Sequence, residues 1–223
     1  AKKKRKKYRR LQAGMDGLVW DYDVPGSRKH VRRKTHLLFI TTTFSRDIST
    51  QEAWRLITSR GNALNQFSAK LYKILGNKAT FKAKEAQSSG YPAPHILCIL
   101  DKPVMAYRHN GKWRVQDREI VDKVKESWPY GYVDIQACVG GKVEGRGVMS
   151  YVMKYVTKTT DDYNPKAKRI AELTHAWQKV YGIRDVVSNQ FLERLNIHAV
   201  EPTASSSGWQ LIEIEYRPDV VRL

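Results

Sequence analysis

Acidic residues are scarce in this chain. Its 22 Asp plus Glu stand against 40 Lys plus Arg, a formal net charge of +18 with a pI near 9.9. That balance points to an anionic polymer as partner, nucleic acid first. Cysteine is scarcer still: Cys98 and Cys138 sit inside apolar runs, which excludes a disulfide frame and reads as small buried residues in a reducing compartment. No stretch approaches the apolar length of a membrane-spanning helix, so a membrane is the weaker partner. Nor does a charged segment precede an apolar one, so no secretory signal is read. Four enzyme signatures are also missing: the Gly-x-x-x-x-Gly-Lys-Ser/Thr phosphate loop, the Gly-x-Gly-x-x-Gly fingerprint, paired Cys-x-x-Cys and the Gly-x-Ser-x-Gly elbow. "GGKVEGRG" has glycines at the wrong spacing and reads as a loop.

What is present suits one α+β domain with a basic arm. The 223 residues are 41% apolar, enough for a core. The positive charge is clustered: "AKKKRKKYRR" holds Lys2, Lys3, Lys4, Arg5, Lys6, Lys7, Arg9 and Arg10, and residues 27–34 add five more, among them Arg32, Arg33 and Lys34. Like charges repel and rarely fold alone. The run is either a solvated tail or an arm along a phosphate backbone, where counterion release adds affinity without sequence choice. The organisation expected is an arm over 1–34, a domain over 35–200, and a linker with a last strand over 201–223.

Residues 35–44, "THLLFITTTF", read as a buried central strand. Ser49 and Glu52 fit a capping box that starts a helix, whose apolar spacing runs from Ala53 to Leu75 with Gly76 as the stop and Gly61 weakening it midway. A short strand is expected over 80–86 and a buried one over 95–100. Asn110-Gly111 between alternating residues signals a two-residue hairpin. Residues 120–128 read as a short helix, 131–140 as a strand, and 149–158 as a helix. Further helices are expected from Pro165 to about Tyr181 and over 188–195, and a late strand over 209–218. Hairpins mixed with helical crossovers imply an antiparallel or mixed sheet with helices packed on it.

The chemistry centres on "SYVMKYVTK", residues 150–158. Tyr151 and Tyr155 are four apart, and each has a lysine three residues on, Lys154 and Lys158. On a helix the two phenols share a face. A phenol with a pKa near 10 is a poor nucleophile until a cation or metal favours its ionised form. Tyrosine attack on a phosphodiester conserves the bond energy, which suits cutting followed by rejoining. The other reading is a half-buried helix face with lysines snorkelling at its rim.

With its neighbours, this helix resembles the HUH endonucleases that initiate rolling-circle replication of plasmids and single-stranded DNA phages, in their two-tyrosine branch. Three segments are similar to family motifs in the family's order: "LLFITTTF" at 37–44, "EAQSSGYPAPHILCIL" at 85–100 and "YVMKYVTK" at 151–158. The resemblance implies a central antiparallel sheet of about five strands, flanked by helices. It also implies a metal-dependent tyrosine endonuclease that nicks and rejoins single-stranded DNA at a replication origin hairpin through a 5′-phosphotyrosyl intermediate. Tyr151 and Tyr155 would attack, Lys154 and Lys158 would stabilise phenolate and phosphate charge, and His95 with Glu85 would hold a divalent cation, Mg²⁺ or Mn²⁺. A plasmid- or virus-encoded initiator would act in the host cytoplasm beside a host or fused helicase and polymerase.

The chain departs from that family at one point. The family has two histidines separated by one apolar residue; here only His95 is present. Aligned on "GYP", His95 takes the second place and Ala93 the first; aligned on the preceding proline, His95 is first and Leu97 second. Residues 93, 95 and 97 share a strand face, and a hard cation accepts one imidazole with a carboxylate. The missing ligand sustains another reading, a non-catalytic DNA-binding domain with a degenerate metal site. An RNA-binding domain is a third. Asp134 and Gln136 share a strand face and point either to the same site or to solvent. Trp54, Trp113, Trp128 and Trp177 are expected in the core, and His175 and His198 have no partner pattern.

Overall fold

The computed structural model describes residues 21–24, 32–59, 62–143, 146–147, 165–180, 197–199, 203–205, 208–210 and 214–216. The elements in chain order are β1 (Asp21–Asp23), β2 (Arg32–Thr42), α1 (Thr50–Thr58), α2 (Ala63–Leu75), β3 (Asn77–Ala86), β4 (Pro92–His109), β5 (Lys112–Val115), α3 (Arg118–Glu126) and β6 (Val133–Ala137). Short ladders follow, β7 (Lys142–Val143) with β8 (Arg146–Gly147), then α4 (Pro165–Val180). Last come β9 (Ile197–Ala199) paired with β12 (Ile214–Tyr216), and β10 (Thr203–Ser205) paired with β11 (Gly208–Gln210). The helices expected over 149–158 and 188–195 lie outside the described residues, as do Lys2 to Arg10.

The α+β expectation holds. One antiparallel sheet runs β3-β4-β2-β6, with β5 on the far half of β4 and the three-residue β1 on the first half of β2. Opposed residues give the faces. Leu38, Ile40, Ile96, Cys98, Leu100, Val133 and Ile135 pack against Trp54, Leu64, Phe67, Leu71 and Trp128. On the other face Phe39, Phe81 and Leu97 are also buried. Burial on both faces explains why "HLLFI" and "HILCIL" read as unbroken apolar runs rather than alternating ones. The thiols of Cys98 and Cys138 are free and buried, and burial pushes the Cys98 thiol up to about 12.

Local chemistry sets the boundaries. Ser49 Oγ accepts from the Glu52 amide at 3.2 Å, the N-cap of α1. The Glu52 carboxylate turns to the Arg55 guanidinium instead of back to the cap. The single helix expected from Ala53 to Leu75 is two helices. Asn62 supplies a second N-cap, its Oδ1 accepting from the Asn65 amide at 2.9 Å, and Gly76 closes α2 at φ 58. Asn110 and Gly111 both have positive φ, the pattern of a type I′ hairpin, and join β4 to β5. β4 is longer than expected: it continues past Leu100 through an irregularity in its register opposite His36. The sheet also takes up Asp21–Asp23 and Arg32 to Lys34, inside the stretch expected to be an arm, and Arg33 meets Asp23 at 3.3 Å.

Aromatic rings lock the helices to the strand ends. The Trp54 indole donates to the Gly90 carbonyl and stacks on Trp177 of α4 at 5.8 Å. The Trp128 indole donates to the Thr43 carbonyl at 2.9 Å and meets Phe44 and Phe67 edge-on; such pairs add about 0.5–1.5 kcal/mol each beyond burial. As expected, Trp54 and Trp128 are core, while Trp113 and Trp177 pack partly buried against it. His175 is exposed.

Gly131 is the tightest point of this packing. A Cβ there would lie 2.5 Å from the Thr43 carbonyl oxygen and 2.6 Å from the Ser45 nitrogen. Two hydrogen bonds flank it, Thr43 N–H to Tyr132 O at 2.9 Å and Ser45 N–H to Tyr130 O at 2.7 Å. Gly131→Ala must break one or both, so it is expected to cost at least about 2 kcal/mol. A fall in the urea unfolding midpoint measures that cost; an unchanged midpoint would show that the turn yields freely.

Candidate active site

The site grows out of the turn between β3 and β4. Residues 87–91 form a tight turn closed by Gln87 N–H to Tyr91 O at 2.7 Å. Trp54 holds it through Gly90, the Tyr91 hydroxyl donates to the Ile48 carbonyl, and Thr174 of α4 accepts from the Ala86 amide. These interactions fix the register in which Glu85 faces Ala93 and Ala83 faces His95. Glu85 and His95 are then diagonal neighbours on one face, a separation that long side chains span. Glu85 Oε2 lies 3.3 Å from His95 Nε2.

One row of the same face runs Ala83, His95, Thr41, Asp134 across four strands; the next runs Phe81, Leu97, Phe39, Gln136. Thr41 Oγ1 lies 3.0 Å from His95 Nδ1, and Phe39 stacks on the imidazole at 5.6 Å. The ring is therefore held at both nitrogens and on its face. His95 and Glu85 are each only 7% exposed. A carboxylate so buried needs partners, and the imidazole is one of them.

Asp134 and Gln136 do share the face of His95. Gln136 is buried, and its Nε2 donates to Asp134 Oδ2 at 2.8 Å. Arg114 of β5 reaches Asp134 Oδ1 and donates to the Ile135 carbonyl at 3.0 Å. Burial pushes the Asp134 carboxyl up, but hydrogen bonds from Arg114 and Gln136, with the charges of Arg114 and Lys112, outweigh it and hold it below the usual carboxylate range. Asp134 thus stays anionic at neutral pH and is tied to the sheet edge.

The donor set can be tested against a divalent cation. Adjacent ligands of an octahedral Mg²⁺ at about 2.1 Å lie about 3 Å apart, close to the 3.3 Å between His95 Nε2 and Glu85 Oε2. Thr41 at Nδ1 is the kind of partner that fixes the tautomer of a metal-binding histidine. Ala93 and Leu97 offer no donor, and among the described residues no group of three or more His, Cys, Asp or Glu converges. The pair fits a hard cation that keeps water or phosphate oxygen in its remaining positions.

Of the residues singled out in the sequence, the structure brings His95 and Glu85 together. Arg32, Arg33 and Lys34 lie on β2. Tyr151, Tyr155, Lys154 and Lys158 fall outside the described residues. Thr41 and Arg114 were not singled out as site residues. Only its place in "LLFITTTF", the first of the three segments, hinted at the first; nothing local marked the second. No protein-family model, no curated protein and no solved structure matches the chain. No helix among the described residues is long and apolar enough to cross a membrane.

Proposed function

We propose that this chain is a rolling-circle replication initiator, a divalent-metal-dependent endonuclease that nicks and rejoins single-stranded DNA at an origin. The observation that carries the reading is the buried His95–Glu85 pair, backed by Thr41, on one sheet face. It falls in the second of three motifs that resemble the HUH endonucleases. The basic composition supports a nucleic-acid substrate.

In the proposed reaction, the phenolate oxygen of Tyr151 or Tyr155 attacks a backbone phosphorus. The new bond is a 5′-phosphotyrosyl ester; the bond to the 3′ oxygen breaks, and that oxygen leaves as a 3′ hydroxyl after taking a proton. Attack by a 3′ hydroxyl on the phosphotyrosine reverses the step and rejoins the strand. Lys154 and Lys158 stabilise the phenolate and the phosphate charge. His95 and Glu85 would hold the cation, which when bound polarises the phosphoryl oxygen. Thr41 and Phe39 keep the imidazole in one orientation. The deciding experiment is a covalent adduct between the chain and labelled single-stranded DNA, run with and without Mn²⁺; no adduct under either condition sinks the reading.

One observation favours a second reading, a non-catalytic DNA-binding domain: among the described residues no third His, Cys, Asp or Glu joins His95 and Glu85. Such a domain would bind the same DNA and form no adduct.

In either case binding is expected to be strongly salt-dependent. Residues 1–46 hold 14 Lys plus Arg and 3 Asp plus Glu, a net of +11 out of +18. Removing residues 1–10 should flatten the slope of log affinity against log salt by several units, at about 0.7 for each single-strand phosphate that the run neutralises. An unchanged slope would show that the run does not touch the backbone.

A further inference from the structure

A cleft of about 620 Å³ lies between the β4–β5 hairpin, α3 and β6, lined by Tyr107, His109, Arg114, Lys125, Tyr132 and Asp134 among others. That volume is within the roughly 300–1,000 Å³ of ligand clefts. It contains neither His95 nor Glu85 and shares only Arg114 and Asp134 with the site described above.

Two of the four most exposed large hydrophobic side chains among the described residues line it: Tyr132 at 84% and Tyr107 at 37%. The backbone that carries Tyr132 is held in place. Its carbonyl accepts from the Thr43 amide, and the preceding Gly131 lies flat against residues 43–45. A ring on a fixed backbone has only its two side-chain torsions left to order when something stacks on it. The charge in the cleft favours an anion. Lys125 is exposed, and the one carboxylate among the described lining residues, Asp134, is already paired with Arg114 and capped by Gln136.

We propose that this cleft binds single-stranded nucleic acid, one base stacking on Tyr132 and the next against Tyr107, with backbone phosphates at Lys125 and His109. Stacking platforms beside cations are how single strands are held without reading their sequence. The inference goes beyond strand cleavage. It adds a binding subsite and needs neither the tyrosine pair nor the metal.

The rival occupant is an extended peptide, because among the described residues β6 pairs on one side only, with β2. Charge and the exposed rings favour nucleic acid. The test is equilibrium anisotropy of the full chain with a labelled oligo-dT, read without cleavage in EDTA. Tyr132→Ala should weaken binding about tenfold, Tyr132→Phe should bind like the parent, and Lys125→Gln should lower the salt slope by about 0.7. Tyr72→Ala, an exposed ring on α2, should change nothing. A single abasic position should weaken the parent but not further weaken Tyr132→Ala. Parent-like affinity of Tyr132→Ala overturns the proposal, as does protection of β6 amides from exchange by extended peptides but not by oligo-dT. Because no cleavage is read, a failed adduct assay leaves this result standing, and the reverse also holds.

Discussion

A chain carrying both Tyr151→Phe and Tyr155→Phe is expected to form no covalent adduct with labelled single-stranded DNA, while each single variant still forms one. Rolling-circle replication cuts once to start and again to finish, when the first covalent link still holds a DNA end. On the helix expected over 149–158, a second phenol four residues away would share the face of the first and reach the same phosphate with little movement. Proximity then replaces a second binding event. The spacing carries the argument further, because each tyrosine has its own lysine at the same offset, Lys154 and Lys158. A helix that is only amphipathic has no reason to repeat that offset. Loss of both hydroxyls removes the atoms that bond phosphorus, so the adduct should vanish while DNA affinity is kept. If one single variant is dead and the other cuts and transfers strands like the parent, the pair does not alternate. One tyrosine is then the nucleophile and the other a structural ring.

How far the sequence reaches depends on whether the determinant is local. The Ser49 cap, the Asn110-Gly111 hairpin and the start of α4 at Pro165 rest on residues within a few positions of each other, and each was legible. The break between α1 and α2 was half legible: Gly61 marked a weakness, but the Asn62 cap that turns weakness into a new helix start was passed over. The length of β4 was not legible across "DKP", residues 101–103. The strand passes through it by shifting register against β2, and Pro103 sits at that irregularity, where a proline is tolerated in a sheet. The partners of His95 were the least legible. Glu85 is ten residues away and Thr41 fifty-four, and only the strand registers place them around one ring. Resemblance suggested Glu85; nothing in the chain's periodicity did. Arg114 reaches Asp134 through an approach of β5 to β6 that no local pattern encodes.

His95→Ala is expected to lower cleavage at least about tenfold, with partial recovery at high Mn²⁺, and EDTA should abolish cleavage in the parent. Few donors converge here among the described residues. His95 Nε2 and Glu85 Oε2 are the pair at 3.3 Å, so among the described residues loss of the imidazole leaves the Glu85 carboxylate with water, which binds a cation weakly but not negligibly. More cation then restores part of the rate, since the defect is in occupancy rather than in the nucleophile. Glu85→Gln keeps the volume and a neutral oxygen ligand in a site only 7% exposed, so its loss should be milder. Thr41→Val removes the partner of Nδ1 at 3.0 Å while keeping the shape. Loss of such a partner weakens metal affinity about 10–100-fold elsewhere, so this variant should need more Mn²⁺ to reach a parent-like maximal rate. That pattern separates an orienting role from a purely structural one, in which excess metal would recover nothing. Full activity of the parent in EDTA would end the metal reading and leave Lys154 and Lys158 to stabilise the charge alone.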